Sequence, residues 1–316
     1  MSCKKPLAMF PFRFRVICKD FEIVTLNDLT GIAKKVADSF GKKLVVSEVQ
    51  RFSDSETSVA VSDPLLVNGK NVFVVESIFM PIHENFLNFL LLVNNLKRNG
   101  AKNIVAVFPY FGYVRRDKDG GMELIAKLLE VAGVTRVIMF EAHSEKIAEL
   151  FSIDYHNFSL SGVIAEKIKQ SFSLLNQISI VAPDKGAEGR ASEVAKILGC
   201  SIVLASKKRT ENNGVHIECI SGSCSKKAMI VVDDIVDSGQ TAIQVYNALK
   251  KRGACDVYGY FGHSVFSGDG FDNIESSDFE KIFVSNTIPL MKKSNKIELF
   301  NVSEFIINSI KGIVDG

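Results

Sequence analysis

Three carboxylates, two hydroxyls and a glycine crowd into one short stretch, Met229 to Ala242, MIVVDDIVDSGQTA. Five apolar residues in a row from Ala228 read as a strand covered on both faces. Asp233 and Asp234 emerge where it ends. Asp237 then precedes Ser238, Gly239, Gln240 and Thr241, after which helical periodicity runs to Lys251 and Gly253 suits a C-cap. Backbone N–H groups at such a turn, with the Ser238 and Thr241 hydroxyls, suit a phosphate held in the positive end of the helix dipole. The adjoining acids suit ribose hydroxyls or Mg²⁺. A solvated turn that merely caps the helix is the competing reading. Capping, however, does not require three carboxylates on one five-residue turn, so a sugar phosphate is the chemistry the spacing favours.

Such a loop needs strands and helices to hold it. Alternating apolar strands and amphipathic helices run almost end to end, the pattern of an α/β protein with parallel sheets and helices on both faces. In the first half, strands are predicted at Lys43 to Val49, Asn71 to Glu76, Ile104 to Phe108 and Arg136 to Phe140. Helices are predicted near Asp28 to Phe40, Glu84 to Arg98 and Glu123 to Ala132. The second half repeats the alternation, with strands at Ile178 to Ala182, Ser201 to Ala205, Ala228 to Val232, Val257 to Phe261 and Lys281 to Val284. Its helices fall at Ser161 to Ser171, Gly189 to Leu198 and Ala242 to Lys251. The helix from Glu84 to Arg98 has too many apolar positions for a single stripe and is expected to be buried nearly all round, within the fold or at a subunit interface. A domain boundary is expected near Phe158 to Gly162. The closing segment, Val302 to Ile313, reads as a helix that returns to the first domain.

At 316 residues the chain has room for two well-buried domains. Hydrophobic residues at 47% and charged residues at 23% suit a soluble globular protein, and no apolar run reaches the length of a membrane span. A net charge of +2, with no block of basic residues interleaved with aromatics, argues against nucleic acid as a partner. The six cysteines, at positions 3, 18, 200, 219, 224 and 255, form no C-x-x-C pair or zinc spacing, which fits a reducing cytoplasm. Lys4, Lys5, Arg13 and Arg15 precede the first acid, Asp20, and raise the question of a targeting peptide. Pro11 and Arg13 interrupt its apolar part, so a short first strand after a few disordered residues is expected within Met1 to Lys19.

The Met229 to Ala242 stretch resembles the phosphoribosyl pyrophosphate (PRPP) motif shared by phosphoribosyltransferases and ribose-phosphate pyrophosphokinases. Five further segments match the second family in order and spacing. RFSDSET, Arg51 to Thr57, resembles its R-F-x-D-G-E element, with Ser55 at the glycine position. There the resemblance implies that Phe52 stacks on adenine while Asp54 and Glu56 meet its amino group, as a flat apolar face and an acceptor would allow. FPYFGYVRRDKDGG, Phe108 to Gly121, resembles P-Y-x-x-Y-x-R-Q-D and assigns Arg115, Arg116 and Asp117 to ATP. Arg116 takes the glutamine position, and the loop after Asp117 is several residues shorter than in typical members. FEAHSEK, from Phe140, resembles the D-L-H segment and assigns His143 to the Mg²⁺–ATP site. Glu141 replaces the aspartate there, while Ser152 and His156 replace two downstream acids that many members carry. VAPDKGAEGRA, Val181 to Ala191, resembles the S-P-D-x-G-G-x-x-R pyrophosphate loop, with Ala187 at the second glycine and Asp184 facing the ribose or a Mg²⁺. SKKRTEN, Ser206 to Asn212, matches K-x-R at Lys207 and Arg209, the cations of a catalytic flexible loop.

The resemblance covers nearly the whole chain, and the fold it implies is two tandem type I phosphoribosyltransferase-like, Rossmann-like domains. Residues 1–160, joined by 299–316, would form the ATP side, and 161–298 the ribose 5-phosphate side. It implies transfer of the diphosphoryl group of ATP to the 1-hydroxyl of ribose 5-phosphate, giving PRPP and AMP. Catalysis would fall to Lys207 and Arg209, and sugar phosphate binding to Asp184, Asp233, Asp234, Asp237, Ser238, Gly239, Gln240 and Thr241. Mg²⁺ would be the cofactor, held at His143 and Asp184. A homo-oligomer, dimer or hexamer, is implied, in which Phe52, Asp54 and Glu56 reach a neighbour's ATP. Two alternatives stay open: a non-catalytic regulatory relative, and a phosphoribosyltransferase that consumes PRPP.

Overall fold

The computed structural model describes residues 20–116, 120–209, 215–224 and 227–315. The first half contains β1 (Phe21–Thr25), α1 (Ile32–Ser39), β2 (Val45–Arg51), β3 (Thr57–Val61), β4 (Asn71–Val75), α2 (Ile82–Arg98), β5 (Asn103–Phe108), α3 (Gly121–Ala132), β6 (Arg136–Phe140) and β7 (Asp154–Phe158). The second contains α4 (Ser161–Ser171), β8 (Ile178–Ala182), α5 (Glu188–Leu198), β9 (Ser201–Arg209), β10 (Val215–Ser221), β11 (Ala228–Val236), α6 (Gln240–Lys251), β12 (Val257–Ser264), α7 (Gly270–Glu275), β13 (Lys281–Ser285), β14 (Ile297–Phe300) and α8 (Ser303–Asp315).

Two seven-stranded sheets result, ordered β3-β2-β1-β4-β5-β6-β7 and β10-β9-β8-β11-β12-β13-β14. The same order occurs twice. Every neighbouring pair is parallel except the hairpins β2–β3 and β9–β10. This is the predicted α/β class, with two mainly parallel sheets flanked by helices.

The two-residue alternation of side chains assigns each sheet face to its own core. In β4, Phe73 and Val75 join Ile32 and Val36 of α1, Ile164 of α4 and Ile306 and Ile310 of α8. Val72 and Val74 face the other way, onto Phe89 and Leu92 of α2 and Met122 of α3. In β11, Ile230 and Val232 join the same central cluster as β4, while Met229 and Val231 pack with Val245 and Leu249 of α6. The two halves therefore share one hydrophobic layer, and each buried aliphatic or aromatic side chain in it contributes roughly 1.5 to 3 kcal/mol. Phe305 of α8 lies 6.0 and 6.4 Å, ring to ring, from Phe140 and Phe158 of the first half.

Three expectations need correction. The α2 helix is not buried all round: Leu87 is 54% exposed and Leu90 and Leu91 are half-buried, because only one face meets the sheet. The α1 helix starts at Ile32 rather than at Asp28. Asp28 instead caps it from outside, its carboxylate accepting the Ala33 and Lys34 N–H groups at 3.0 and 2.8 Å. The strand expected at Ser201 to Ala205 continues through Arg209, so Lys207 and Arg209 belong to the β9–β10 hairpin. The strand expected within Met1 to Lys19 lies outside the described residues.

Candidate active site

In the second sheet β8 and β11 lie side by side, yet the chain leaves β8 toward β9 and β11 toward β12. Such a reversal leaves a crevice at the carboxyl ends of the two strands, the usual place for a ligand in an open α/β sheet. A cleft of about 250 Å³ sits there. Pro183, from the loop after β8, lines it together with Asp233, Asp234, Asp237, Ser238, Gly239 and Thr241, and the first half supplies Arg115 and His143. Gly239 caps α6 at φ 77, a left-handed conformation that suits glycine, and a Cβ there would lie 2.9 Å from Ile274 Cγ1. The first N–H groups of α6 have no partner within the helix, so they and the Ser238–Thr241 loop form a turn suited to an anion. Ala187, at the usual glycine position of the other loop, has φ −83, which any residue adopts.

The carboxylates are held by a buried cation that the sequence reading passed over. Arg190 of α5 donates from Nε to Glu141 Oε1 at 2.8 Å and from Nη1 to Asp233 Oδ1 at 3.2 Å. Asp234 Oδ1 lies 3.7 Å from the same nitrogen. Glu141 comes from the first half, at φ 54, and its Oε2 accepts the Leu160 N–H at 2.5 Å. His143 Nδ1 bonds Asp234 Oδ2 at 2.7 Å, and because an ionised carboxylate only accepts, the proton is on Nδ1. Burial alone would raise both aspartates. For Asp234, the His143 hydrogen bond and the Arg190 charge outweigh burial and hold the carboxyl well below its ordinary range. For Asp233, burial and the neighbouring Asp234 charge win, and it is pushed up. One acid of the pair stays ionised while its neighbour is held toward the protonated form.

Above this pair, Arg115 donates to Asp237 Oδ2 at 2.6 Å, joining the halves across the cleft. Asp237 Oδ1 also accepts the Ser267 N–H at 3.1 Å and its hydroxyl. Behind it, His263 is 2% exposed, and burial lowers its imidazole to about 4, so it is neutral. Its Nε2 donates to the Phe140 carbonyl at 3.1 Å, and its Nδ1 meets the Thr287 hydroxyl at 2.8 Å. Sequence reading missed Arg190, Glu141 as an anchor, His263 and Ser267. Arg190 stands at the arginine of the quoted S-P-D-x-G-G-x-x-R pattern, so a signal for it was present.

Other predicted residues lie elsewhere. Asp184 is near enough to add to the upward push on Asp233, and its Oδ1 accepts the Ala187 N–H at 3.1 Å. Gln240 starts α6 but does not line the cleft, and neither does Arg116. Asp117 lies outside the described residues. Lys207 and Arg209 are placed by their backbone alone, on a strand next to β8. Phe52, Asp54 and Glu56 are exposed at the tip of the β2–β3 hairpin, where Ser55 adopts the left-handed φ 77 that its glycine-like position implies. Four strand spacings separate β2 from β6, which ends near His143, or roughly 19 Å. This hairpin does not reach the cleft of its own chain.

The first sheet has the same crevice, between β1 and β4, and it is filled. Glu76 Oε2 accepts the Thr25 hydroxyl and the Leu26 and Asn27 N–H groups at 2.8, 2.8 and 3.3 Å, and only about 10 Å³ remains. A carboxyl oxygen thus takes the place that an external anion could occupy. Burial raises Glu76 to about 7 despite these hydrogen bonds. A carboxyl raised in the folded state contributes its full stability below about 4.5 and loses it as pH rises through 7. Glu76→Gln is therefore expected to gain on the unsubstituted protein between pH 5 and pH 8, by on the order of 3 kcal/mol. Urea unfolding at both pH values measures this, and parallel stabilities would contradict it.

Comparison with known proteins agrees with this arrangement. Residues 21–133 match the N-terminal domain of ribose phosphate pyrophosphokinase, 156–260 the phosphoribosyl transferase domain and 211–316 the phosphoribosyl synthetase-associated domain. The ribose-phosphate pyrophosphokinase of Wolinella succinogenes is 35% identical over 301 residues, which cover 93% of this chain and 96% of that one. That of Fusobacterium nucleatum is 32% identical over 302 residues, 93% and 95% of the two chains. In fold, the chain superposes on a phosphoribosylpyrophosphate synthetase from Mycobacterium smegmatis with a TM-score of 0.85, covering 94% of this chain and 99% of that one at 23% identity. Duplicated sheets, an acidic strand end beside an anion-binding turn and this whole-length likeness lead to one conclusion, that the chain belongs to the ribose-phosphate pyrophosphokinase family.

Proposed function

We propose that the chain is a ribose-phosphate diphosphokinase, transferring the diphosphoryl group of ATP to the 1-hydroxyl of ribose 5-phosphate to give PRPP and AMP. The observation that carries this reading is the pairing, in one cleft, of Asp233 and Asp234 with the Ser238–Thr241 turn beneath Arg115 and His143 of the other half. The turn binds the 5-phosphate through the N–H groups of residues 238–241 and the two hydroxyls. Asp233 and Asp234, fixed by Arg190 and His143, accept hydrogen bonds from the ribose 2- and 3-hydroxyls. The 1-hydroxyl is left facing the nucleotide. Arg115 leaves Asp237 for the phosphates, while Lys207 and Arg209 on β9 supply further positive charge to the transferring group. Positioning and charge supply most of the acceleration. Residues 1–160 with 299–316 carry ATP in this reading, and 161–298 carry the sugar.

Mg²⁺ prefers oxygen ligands and keeps several waters. Among the described residues no group of three acidic, histidine or cysteine side chains is arranged to hold an ion alone. Asp184 and His143 would hold the ion, together with oxygen ligands from outside the protein. When bound, it supplies charge neutralisation at those phosphates.

The adenine contacts come from a second copy of the chain. Phe52 is 46% exposed at its hairpin tip, too far along the sheet to serve its own cleft, and Val46, Val49 and Leu87 are exposed at 48%, 45% and 54%. A homo-oligomer that buries this edge brings Phe52, Asp54 and Glu56 to a neighbour's nucleotide. No helix among the described residues is long and apolar enough to cross a membrane, and we place the enzyme in the cytoplasm.

Phosphorus NMR of purified protein with Mg²⁺, ATP and ribose 5-phosphate tests the reaction. AMP and PRPP should appear in equal amounts. ADP would indicate an ordinary kinase, and no turnover would indicate a regulatory relative.

A further inference from the structure

Three groups of the cleft depend on one short stretch of the first half, Phe140 to His143. Glu141 anchors Arg190, which in turn reaches Asp233, and His143 meets Asp234. Glu141 holds φ 54, a left-handed conformation that is unfavourable for a residue with a side chain and persists only where its surroundings fix it. Part of what fixes it comes from the second half. The end of β12 lies directly against this stretch, so that a Cβ at Gly262 would stand 3.0 Å from Glu141 Cγ and 2.9 Å from the Asp234 carbonyl oxygen. The next residue, His263, turns Nε2 toward the Phe140 and Glu141 carbonyl oxygens, at 3.1 and 3.3 Å.

Carbonyl oxygens only accept, so Nε2 carries the proton, and in the neutral ring Nδ1 is left to accept from the Thr287 hydroxyl at 2.8 Å. The Ser285 hydroxyl lies 2.8 Å from that of Thr287 and continues the chain of polar groups. Tyr110, five residues before Arg115, packs on the same imidazole with 4.9 Å between ring centroids. His263 is buried and does not line the cleft, so it neither touches substrate nor exchanges a proton with it. Its reach is through the residues it holds. We propose that His263 is a positioning residue for the reaction: its fixed tautomer ties the Phe140–Glu141 backbone of the first half to β12 of the second, and so sets where Arg190 and His143 hold Asp233 and Asp234. The effect on turnover rests on the function proposed above, whereas the hydrogen bonds do not.

Nitrogen-15 NMR of protein labelled at histidine tests the geometry without a reaction. The imidazole signal that disappears in His263→Gln should show a protonated Nε2 and a bare Nδ1, unchanged between about pH 5.5 and about pH 8.5. A protonated Nδ1, or a ring that titrates in this range, would overturn the proposal. Steady-state kinetics tests the consequence. His263→Leu should raise KM for ribose 5-phosphate about ten-fold and lower kcat about ten-fold, whereas His263→Gln, which keeps a donor toward the two carbonyls, should stay within about three-fold of the unsubstituted protein in both. Phe283→Leu, on β13 and outside the cleft lining, should lower the melting temperature while changing neither constant. Equal losses in the leucine and glutamine variants, or no loss in either, would overturn the positioning role. Unsubstituted protein that makes no PRPP would overturn the reaction instead, and would leave the tautomer result standing.

Discussion

Replacing Arg190 with methionine is expected to lower the unfolding free energy by about 3 to 5 kcal/mol, because it removes the cation that three largely buried acids share. The Arg190 side chain is only 11% exposed and serves Glu141, Asp233 and Asp234 together. With it gone, the ionised Asp234 keeps its His143 hydrogen bond but loses the Arg190 charge, and Asp233 loses its Arg190 hydrogen bond. Affinity for ribose 5-phosphate should fall with stability, since the two acids lose their fixed spacing. Arg190→Lys keeps the charge but not the planar fork, so it should recover part of the stability and little of the affinity. Combining Arg190→Met with Glu141→Gln should cost less than the sum of the single changes, since Glu141 is then no longer an unpaired charge. Urea unfolding of the four variants measures this. A loss below about 1 kcal/mol would show that the network is solvated and does not tie the halves together.

The second large effect concerns Lys207. Lys207→Ala should lower turnover by about a thousand-fold, corresponding to about 4 kcal/mol of lost transition-state stabilisation, while ribose 5-phosphate binds nearly as before. The separation follows from position. In the proposed reaction the sugar phosphate is held by the loops after β8 and β11, whereas Lys207 stands on β9, in the hairpin that flanks β8. Turnover assays paired with calorimetric binding of the sugar phosphate check it. Unchanged turnover would remove Lys207 from the mechanism.

What the chain discloses without its structure depends on how local the cause is. The central strands other than β1 (Phe21–Thr25), which went unpredicted, were legible because burial on both faces leaves unbroken apolar runs, as in Ala228 to Val232 or Ile178 to Ala182. The edge strands β3, β7, β10 and β14 were not, since Asp154 to Phe158 and Ile297 to Phe300 are short and partly polar and read as loop. The Ser238–Thr241 turn was legible because its hydroxyls and glycine fall within four residues. Arg190 was marked by its motif position, but its role as an anchor was not legible, because that role depends on Glu141, 49 residues away in the other half. An ion pair across two domains leaves no periodic trace. The hairpin carrying Phe52 marks a different limit, since in the proposed oligomer its partner surface would belong to another copy of the chain. Ser55 illustrates the reverse, a residue whose strained φ follows directly from standing where a glycine is usual.

The most direct test is a crystal structure of the protein with ribose 5-phosphate. Its phosphate should sit on the N–H groups of residues 238–241, with the 2- and 3-hydroxyls on Asp233 and Asp234 and Arg190 still holding both acids. A sugar phosphate found away from the β8 and β11 strand ends, with this cleft filled only by solvent, would contradict the account.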